Sequence, residues 1–415
     1  MPTGASIRPK NPADSSSERH HRVLILGGGT AGITTAARLR RAERRIDIGL
    51  VEPSETHYYQ PLWTLVGRGV VEPEATARPT ASVMPKDVVW HRDRVARIDP
   101  HGSRVELESG KVLGYDVLVV ALGIRLAWEL VEGAREALAR PDVGTVFSVE
   151  SAPKVWEAMK RFRGGTAVFT NPLGPIKCGG APQKIMYLAD AYWRDEGLGA
   201  RSRIVGAFAG TVMLGVPEIN AALERIVADR GIEMRFRHDL RAIDPEGKVA
   251  TFRELDTEQE ITIPYDFLHV TPPQRAPKPL AHSPLALEEG PNAGFAEVDL
   301  HTLQHVRYPN VFVLGDAAAL PTAKTGAAVR KQAPVVVANL RAVLEGSELP
   351  ERYDGYSSCP LLTDVGKLIL AEFTYGNTFS PSFPVDQTRE RYDMYLLKRH
   401  LLPLLYWHGM LKGRA

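Results

Sequence analysis

The sequence predicts an α/β fold: two Rossmann-like domains followed by a C-terminal amphipathic segment. Three observations carry this. A strand, a glycine turn, a helix, a strand and an acid follow one another near the N-terminus. Far downstream, another strand ends in Gly-Asp. Between them lies a second strand–turn–helix frame whose turn lacks the glycine pattern. The chain has 415 residues, room for two or three domains at roughly 150 residues each. Apolar residues make up 44% and charged residues 24%, which excludes collagen-like, coiled-coil and wholly disordered chains. Lys plus Arg is 51 against 49 for Asp plus Glu, so bulk charge gives no reason to expect nucleic acid as a partner. The longest apolar stretch, Ile204 to Pro217, is too short for the ~18 residues of a spanning helix. Residues 1–21, rich in Ser and Pro without an apolar run, read as a disordered tail rather than a secretory signal.

The first domain is expected at 22–150. Arg22 to Leu26 (RVLIL) is a short apolar strand. Gly27, Gly28, Gly29, Thr30, Ala31 and Gly32 follow, leading into a helical pattern, ITTAARLRRA. Ile46 to Val51 is the next strand, and Glu52 ends it. In a dinucleotide-binding unit Gly27 makes the tight turn, Gly29 admits a pyrophosphate and Gly32 lets helix and strand pack. Thr30 and Ala31 open a helix whose N–H groups and dipole face the phosphates. Glu52 stands where a ribose hydroxyl would be bonded. Tyr115 to Gly123 (YDVLVVALG) is a further strand, closed by a small turn, Ala121-Leu122-Gly123.

Asn310 to Leu314 (NVFVL) and then Gly315-Asp316 mark the return to the first domain, expected at 266–345. A carboxylate at that strand end accepts bonds from a polyol. FAD carries a ribitol chain and NAD does not, so the pair of signals points to FAD. A helix N-cap by Asp316 is the simpler alternative.

The second domain is expected at 151–265. After the strand Gly165 to Thr170, the chain reads Asn171-Pro172-Leu173-Gly174-Pro175-Ile176-Lys177-Cys178-Gly179-Gly180-Ala181-Pro182. Its prolines remove backbone donors, so it cradles a pyrophosphate poorly. Pro182 suits the first turn of the next helix. Cys178 therefore precedes a helix N-terminus, with Lys177 beside it, and both lower a thiol pKa. An inert buried thiol is the alternative. The only other cysteine, Cys359, falls in YDGYSSCPLLTD and is expected on a turn. Two cysteines are too few for a disulfide scaffold or a cysteine-only metal site. They suffice for a redox dithiol against a flavin. His301 and His305, in an extended stretch, stand too far apart to share a metal, and no metal site is expected. His57 is either near the flavin or structural.

The C-terminal region, 346–415, holds Cys359 and amphipathic helices. Thr388 to Ala415 carries six Lys/Arg against two Asp/Glu. Leu396, Leu401, Leu404, Trp407 and their neighbours make a dense apolar surface. Pro403 is expected to break it into two helices. Aromatics beside basic residues suit a membrane surface, lying on the bilayer rather than crossing it. A core-packed or dimer-forming helix pair is the rival.

With these residues in view, the chain resembles sulfide:quinone oxidoreductase, of the type II, two-cysteine branch, within the flavoproteins with two dinucleotide-binding domains of the glutathione-reductase type. The matching strings are HYYQPLWTLVG, PIKCGGAPQKIMYLAD, GDAAALPTAKTGAAV, YDGYSSCPLLT and MYLLKRHLLPLLYW, spread over nearly the whole chain. The resemblance implies noncovalent FAD, with Gln60 and Lys324 near it, and a catalytic pair at Cys178 and Cys359. It implies that HS⁻ attacks a bridge between the two, either a disulfide or one with an extra sulfur. Cys359 then takes the sulfur as a persulfide and Cys178 leaves as the thiolate. Sulfide, glutathione or sulfite removes the sulfur, and two electrons pass through FAD to ubiquinone or another quinone. It also implies a monotopic protein on the cytoplasmic face of a bacterial inner membrane, with the mitochondrial inner membrane and a homo-oligomer left open. Two rivals share the fold: a single-subunit NADH:quinone oxidoreductase, against which the missing second glycine motif speaks, and a redox protein that binds FAD without turnover.

Overall fold

The computed structural model describes residues 19–415. Its first strand, β1 (Arg19–Leu26), begins three residues inside the segment expected as a tail. The reason is its neighbour: Arg19 and His20 still pair with Leu113 and Gly114, and His20 bonds Asp116 at 2.8 Å. The remainder of that segment lies outside the described residues. α1 (Thr30–Ala42) and β2 (Ile48–Val51) complete the unit, and β3 (Val89–His91) pairs outside β2. β4 (Val112–Val120) lies on the other side of β1.

The second frame follows. It comprises β5 (Val143–Gly144), β6 (Gly165–Asn171), α2 (Ala181–Asp195), β7 (Ser202–Phe208), β8 (Glu233–Phe236) and β9 (Phe267–His269). These strands form one parallel sheet in the order β5-β9-β6-β7-β8. The sheet thus draws its outer strand from before residue 151 and an inner one from after 265. Register explains this: Val143 and Gly144 are partnered only by Leu268 and His269. β10 (Val311–Val313) then returns to the first sheet and pairs with the end of β4, giving the run β3-β2-β1-β4 with β10 beside it. α3 (Gly326–Glu345) packs against α1. The central strands of the first sheet are apolar on both faces because helices and loops cover both.

β11 (Ser357–Asp364), β12 (Lys367–Thr374) and β13 (Thr378–Phe379) form a third, antiparallel sheet whose edge strand packs on α2. Cys359 lies within β11, opposite Ala371. The expectation of a turn is therefore corrected. β11 is an edge strand, and Pro360 is tolerated there because one side of the strand needs no donor.

The tail also departs from expectation. Tyr392 to Lys412 is one run of helical turns, and Pro403 does not break it. Wide turns at Leu397–Leu401 and Leu405–Gly409 flank the proline, and Leu401 and Leu402 keep right-handed helical angles. A widened turn relieves the ring clash and the missing donor. The apolar residues divide between two faces. Met394, Tyr395, Tyr406, Trp407, Met410 and Leu411 join the first domain's core, while Leu396, Leu401 and Leu404 are exposed. No helix among the described residues is long and apolar enough to cross a membrane.

Candidate active site

The glycine turn between β1 and α1 is shaped by what each Cβ would strike. At Gly27, with φ +99°, it would meet the Ala121 carbonyl, and at Gly32 the Gly27 carbonyl. At Gly29 it would meet nothing within 4 Å. Two glycines are thus needed for packing, and the third opens onto free space. No side chain caps α1 at Gly29, so its first N–H groups are left for an anion. Glu52 lies across the turn, accepting bonds from the N–H of Gly28 and of Ser54, each at 2.7 Å. Ala121 N–H donates to Leu26 at 2.8 Å, and Gly123 turns the chain at φ +71°. A Cβ at Gly315, whose φ is +69°, would stand 3.0 Å from the Ala31 methyl carbon, so the glycine lets the Gly-Asp strand end pack against the start of α1. Asp316 follows, its carboxyl raised by burial against the pull of Lys324 and Lys177. An open glycine, free helix N–H groups and a strand-end carboxylate fit the pyrophosphate and ribitol of FAD.

Two residues hold this turn that sequence reasoning placed poorly or missed. His57 is buried, with Nδ1 on the Gly28 carbonyl at 3.1 Å and Nε2 on the Tyr406 hydroxyl at 2.5 Å. The same hydroxyl bonds Thr30 Oγ1 at 2.9 Å. Burial lowers the His57 pKa to about 4, so the ring is neutral. The tail thus reaches the first residue of α1. His301 and His305 bond separate carbonyls, of Tyr353 and Leu285.

The thiol centre is assembled from three distant segments. Cys178 sits on the loop ahead of α2, and its carbonyl accepts from Ala181 N–H at 2.7 Å, which opens the helix. Its φ of +51° lies in the left-handed region, a conformation that costs an L-residue about 1 kcal/mol. Its own N–H donates to the Lys324 carbonyl at 2.9 Å, which ties the loop to the FAD-return segment. Cys359 arrives from β11, 2% exposed, and the two thiols hydrogen-bond. Gly180 permits this approach: a Cβ there would stand 2.5 Å from Cys359 Sγ.

The cation beside Cys178 is not the one expected. Lys177 Nζ turns away to Gln60 Oε1 at 2.7 Å and lies over the Trp63 ring. Lys184, on the second turn of α2 and 2% exposed, donates to Cys178 Sγ at 3.3 Å. Lys398, from the tail and equally buried, bonds the Pro61 carbonyl at 2.8 Å and adds its charge to the same site. The Cys178 pKa is pulled well down, first by the bond from Cys359 and then by Lys184 and Lys398 against burial. Cys359 is pushed up by the same bond and by burial. Burial opposes the Lys184 charge, but the two sulfurs more than offset it and its pKa rises. Lys398 is lowered to about 7 by burial and by repulsion from Lys184. Of the two thiols, Cys178 is therefore the more acidic. Lys324 anchors its ammonium on the carbonyls of Asp316 and Ala318, at 2.7 and 2.8 Å, and burial lowers its pKa to about 8.

Both missed lysines had a signal. Lys184 stands directly before the buried apolar run Ile185 to Ala189, and Lys398 stands four residues after Met394, on the face that Met394 buries.

Comparison with known proteins finds relatives over nearly the whole chain. The family model described as pyridine nucleotide-disulphide oxidoreductase matches residues 21–160. The chain is 43% identical over 412 residues to the mitochondrial sulfide:quinone oxidoreductase of Mus musculus, covering 99% of this chain and 89% of that one. It is 41% identical over 395 residues to the mitochondrial sulfide:quinone oxidoreductase of Dictyostelium discoideum, covering 95% and 86%. The solved sulfide:quinone oxidoreductase of Aquifex aeolicus superposes with a TM-score of 0.78 over 96% of this chain and 92% of that one, at 20% identity.

Proposed function

Because this chain belongs to the sulfide:quinone oxidoreductase family, we propose that Cys178 and Cys359 are the pair at which it oxidises hydrogen sulfide, and that Lys184 and Lys398 set their charge. The observation that carries this is the meeting of the chain's only two thiols between two buried lysines. Each cysteine comes from a different domain-level segment, and nothing in ordinary packing requires two buried ammonium groups beside them.

The family's reaction passes two electrons from sulfide to quinone by way of FAD. In the oxidised state the two sulfurs are bonded. HS⁻ attacks Cys359 Sγ, the S–S bond breaks, Cys359 carries –S–SH and Cys178 leaves as thiolate. The lower pKa on Cys178 selects it as the leaving group, since a more acidic thiol leaves faster. Lys184 stabilises that thiolate as it forms, by a charge-assisted hydrogen bond. A nucleophile then takes the outer sulfur and leaves Cys359 as a thiol. Re-forming the S–S bond releases two electrons and the thiol proton. The chemistry supplied by bound FAD is the uptake of those electrons and their delivery to quinone. Gly27, Gly29, Gly32, Thr30, Ala31, Glu52, Ala121, Gly123, Gly315 and Asp316 would hold it, and Lys324 would place a cation at its edge. Gln60 contributes through Lys177, which it fixes.

The sulfur acceptor is sulfide, sulfite or a thiol such as glutathione. The site of action is the surface of a membrane, on the cytoplasmic face of a bacterial inner membrane. Exposed Leu396, Leu401 and Leu404 on the tail, with Arg399 and His400 beside them, support attachment there. The test is rapid mixing of the FAD-bound protein with sulfide under anaerobic conditions. The flavin absorbance should bleach and recover on adding ubiquinone, and the Cys178→Ser and Cys359→Ser variants should do neither. Bleaching by NADH instead of sulfide would overturn the reading.

A further inference from the structure

Three side chains join the tail to the glycine turn, and their bonds run in one direction. The Gly28 carbonyl can only accept, so the neutral His57 ring carries its proton on Nδ1, 3.1 Å away, and Nε2 is left as an acceptor. The Tyr406 hydroxyl, 2.5 Å from Nε2, therefore donates to it. That uses the single proton of the hydroxyl, so its oxygen accepts from the Thr30 hydroxyl at 2.9 Å. A hydroxyl has one donor and two acceptor sites, which fixes the order of donors. It runs from Thr30 to Tyr406, from Tyr406 to His57 and from His57 to Gly28.

Packing holds the middle link in place. Tyr406 is 2% exposed, and its ring centroid lies 4.4 Å from that of Tyr59. Just past the tail's last turn, a Cβ at Gly413 would stand 2.7 Å from the Ala37 carbonyl, and Arg38 donates to the Ala415 carbonyl at 2.8 Å. The end of the chain therefore follows α1 from Thr30 to Arg38.

The two ends of the hydrogen-bond chain fall on either side of Gly29. Gly28 is held twice, its N–H by Glu52 and its carbonyl by His57. Thr30 is held by Tyr406. Gly29 has no side chain to tie, and open space lies where its Cβ would be. Its course, and the direction of the first N–H groups of α1, are set by these two neighbours. Backbone donors that are already aimed bind an anion without paying to be ordered, so fixing them raises affinity.

We propose that Tyr406 and His57 are positioning residues for FAD: through this chain of bonds the tail aims the N–H groups that receive the pyrophosphate, and so sets how tightly the cofactor is held. The inference rests on the reading of the glycine turn as the FAD pyrophosphate site and adds the tail to it. Both residues act on the cofactor through the backbone of Gly28 and Thr30.

The test is FAD binding to the apoprotein, followed by flavin fluorescence at a temperature where every variant is folded. Tyr406→Phe and His57→Leu should each raise the FAD dissociation constant roughly tenfold, the scale of one lost buried hydrogen bond. His57→Asn, whose amide N–H can stand where Nδ1–H stood, should recover part of the loss. Tyr406→Phe combined with Thr30→Val should weaken binding no more than the worse of the two alone, because both break the same link. Met410→Ala is the control. It opens a cavity in the buried face of the same tail and lowers Tm, but it breaks no link, so its FAD dissociation constant should stay where it was. Unchanged binding in both Tyr406→Phe and His57→Leu would overturn the proposal, and so would an equal loss in Met410→Ala or additive losses in the Tyr406–Thr30 pair. If Gly29→Ala leaves FAD binding unmoved, the reading of the turn fails instead.

Discussion

Replacing Lys184 by Met isolates the charge that holds the Cys178 thiolate. The ammonium donates to Sγ at 3.3 Å, and both groups are buried. Unit charges at that separation attract by about 5 kcal/mol at an effective dielectric near 20. Part of this is offset by the cost of burying the two ions. A charge-assisted hydrogen bond contributes about 1.5–3 kcal/mol net, which is about one to two pKa units. Methionine keeps the volume and apolar stem, so α2 should pack as before. The Cys178 pKa should therefore rise by about one to two units. The assay is the rate of flavin bleaching by sulfide, measured from pH 5 to 9 by stopped flow. At pH 7 the variant should be about 10- to 100-fold slower, because a thiol of higher pKa leaves more slowly. In the reduced protein the thiolate titration, read by its ultraviolet absorbance, should move up by the same one to two units. Lys184→Arg should recover part of the rate. A thiolate titration at the wild-type position would refute the reasoning, whatever the rate, because it would show that Lys184 does not set the thiol's charge.

Three further outcomes are expected. Lys398 has its pKa lowered from 10.5 to about 7 in the folded chain, so the unfolded chain binds the extra proton between these values and stability should rise with pH from about 7 to 10. Lys398→Met should remove that dependence in a pH series of thermal unfolding and raise Tm at pH 7, at the expense of rate; an unchanged slope would contradict the assignment. Gly29→Ala should leave the apoprotein's Tm nearly unmoved but weaken FAD binding about tenfold or more in a fluorescence titration, whereas Gly32→Ala, whose Cβ meets a carbonyl, should lose several degrees. Tyr406→Phe strips His57 Nε2 and Thr30 of their shared partner, and should cost about 1–3 kcal/mol in denaturant unfolding; a neutral result would mean that water replaces the hydroxyl.

What the sequence disclosed depended on whether a signal was local. The turn Gly27 to Gly32 was legible because each glycine answers a steric demand within one βαβ unit. Cys178 was legible as a thiol ahead of a helix for the same reason. Its cation was not. Adjacency in sequence favoured Lys177, but successive residues point apart, and Lys177 ends on Gln60. Lys184 lies on the side of α2 that faces β11, a strand far along the chain. Cys359 was misplaced because Ser, Gly and Pro around it suggest a turn, whereas an edge strand accepts a proline. The tail shows the limit of periodicity most plainly. An amphipathic stripe reports that one face leaves water, not whether protein or lipid receives it. Here the core receives Tyr406 and Trp407, while Leu401 and Leu404 stay exposed.

That division gives the tail a chemical consequence. Lys398 and Tyr406 are carried on one helical run, yet they serve the thiol centre and the glycine turn respectively. Two buried lysines flank a pair that holds a single negative charge when reduced. Burial, and then repulsion, leaves only one of them firmly charged, and the pKa values divide accordingly, Lys184 up and Lys398 to about 7. When the sulfurs bond to each other the negative charge disappears. Burial now acts on Lys184 without its counter-ion, and the charged form loses its support. Closing the bridge is therefore expected to release a proton from the lysines as well as the thiol proton, so that two electrons leave with about two protons. That is the stoichiometry a quinone needs to become a quinol. On the proposed reading the lysines keep the site near neutral in both redox states, and the tail, by supplying one of them, belongs to the thiol site.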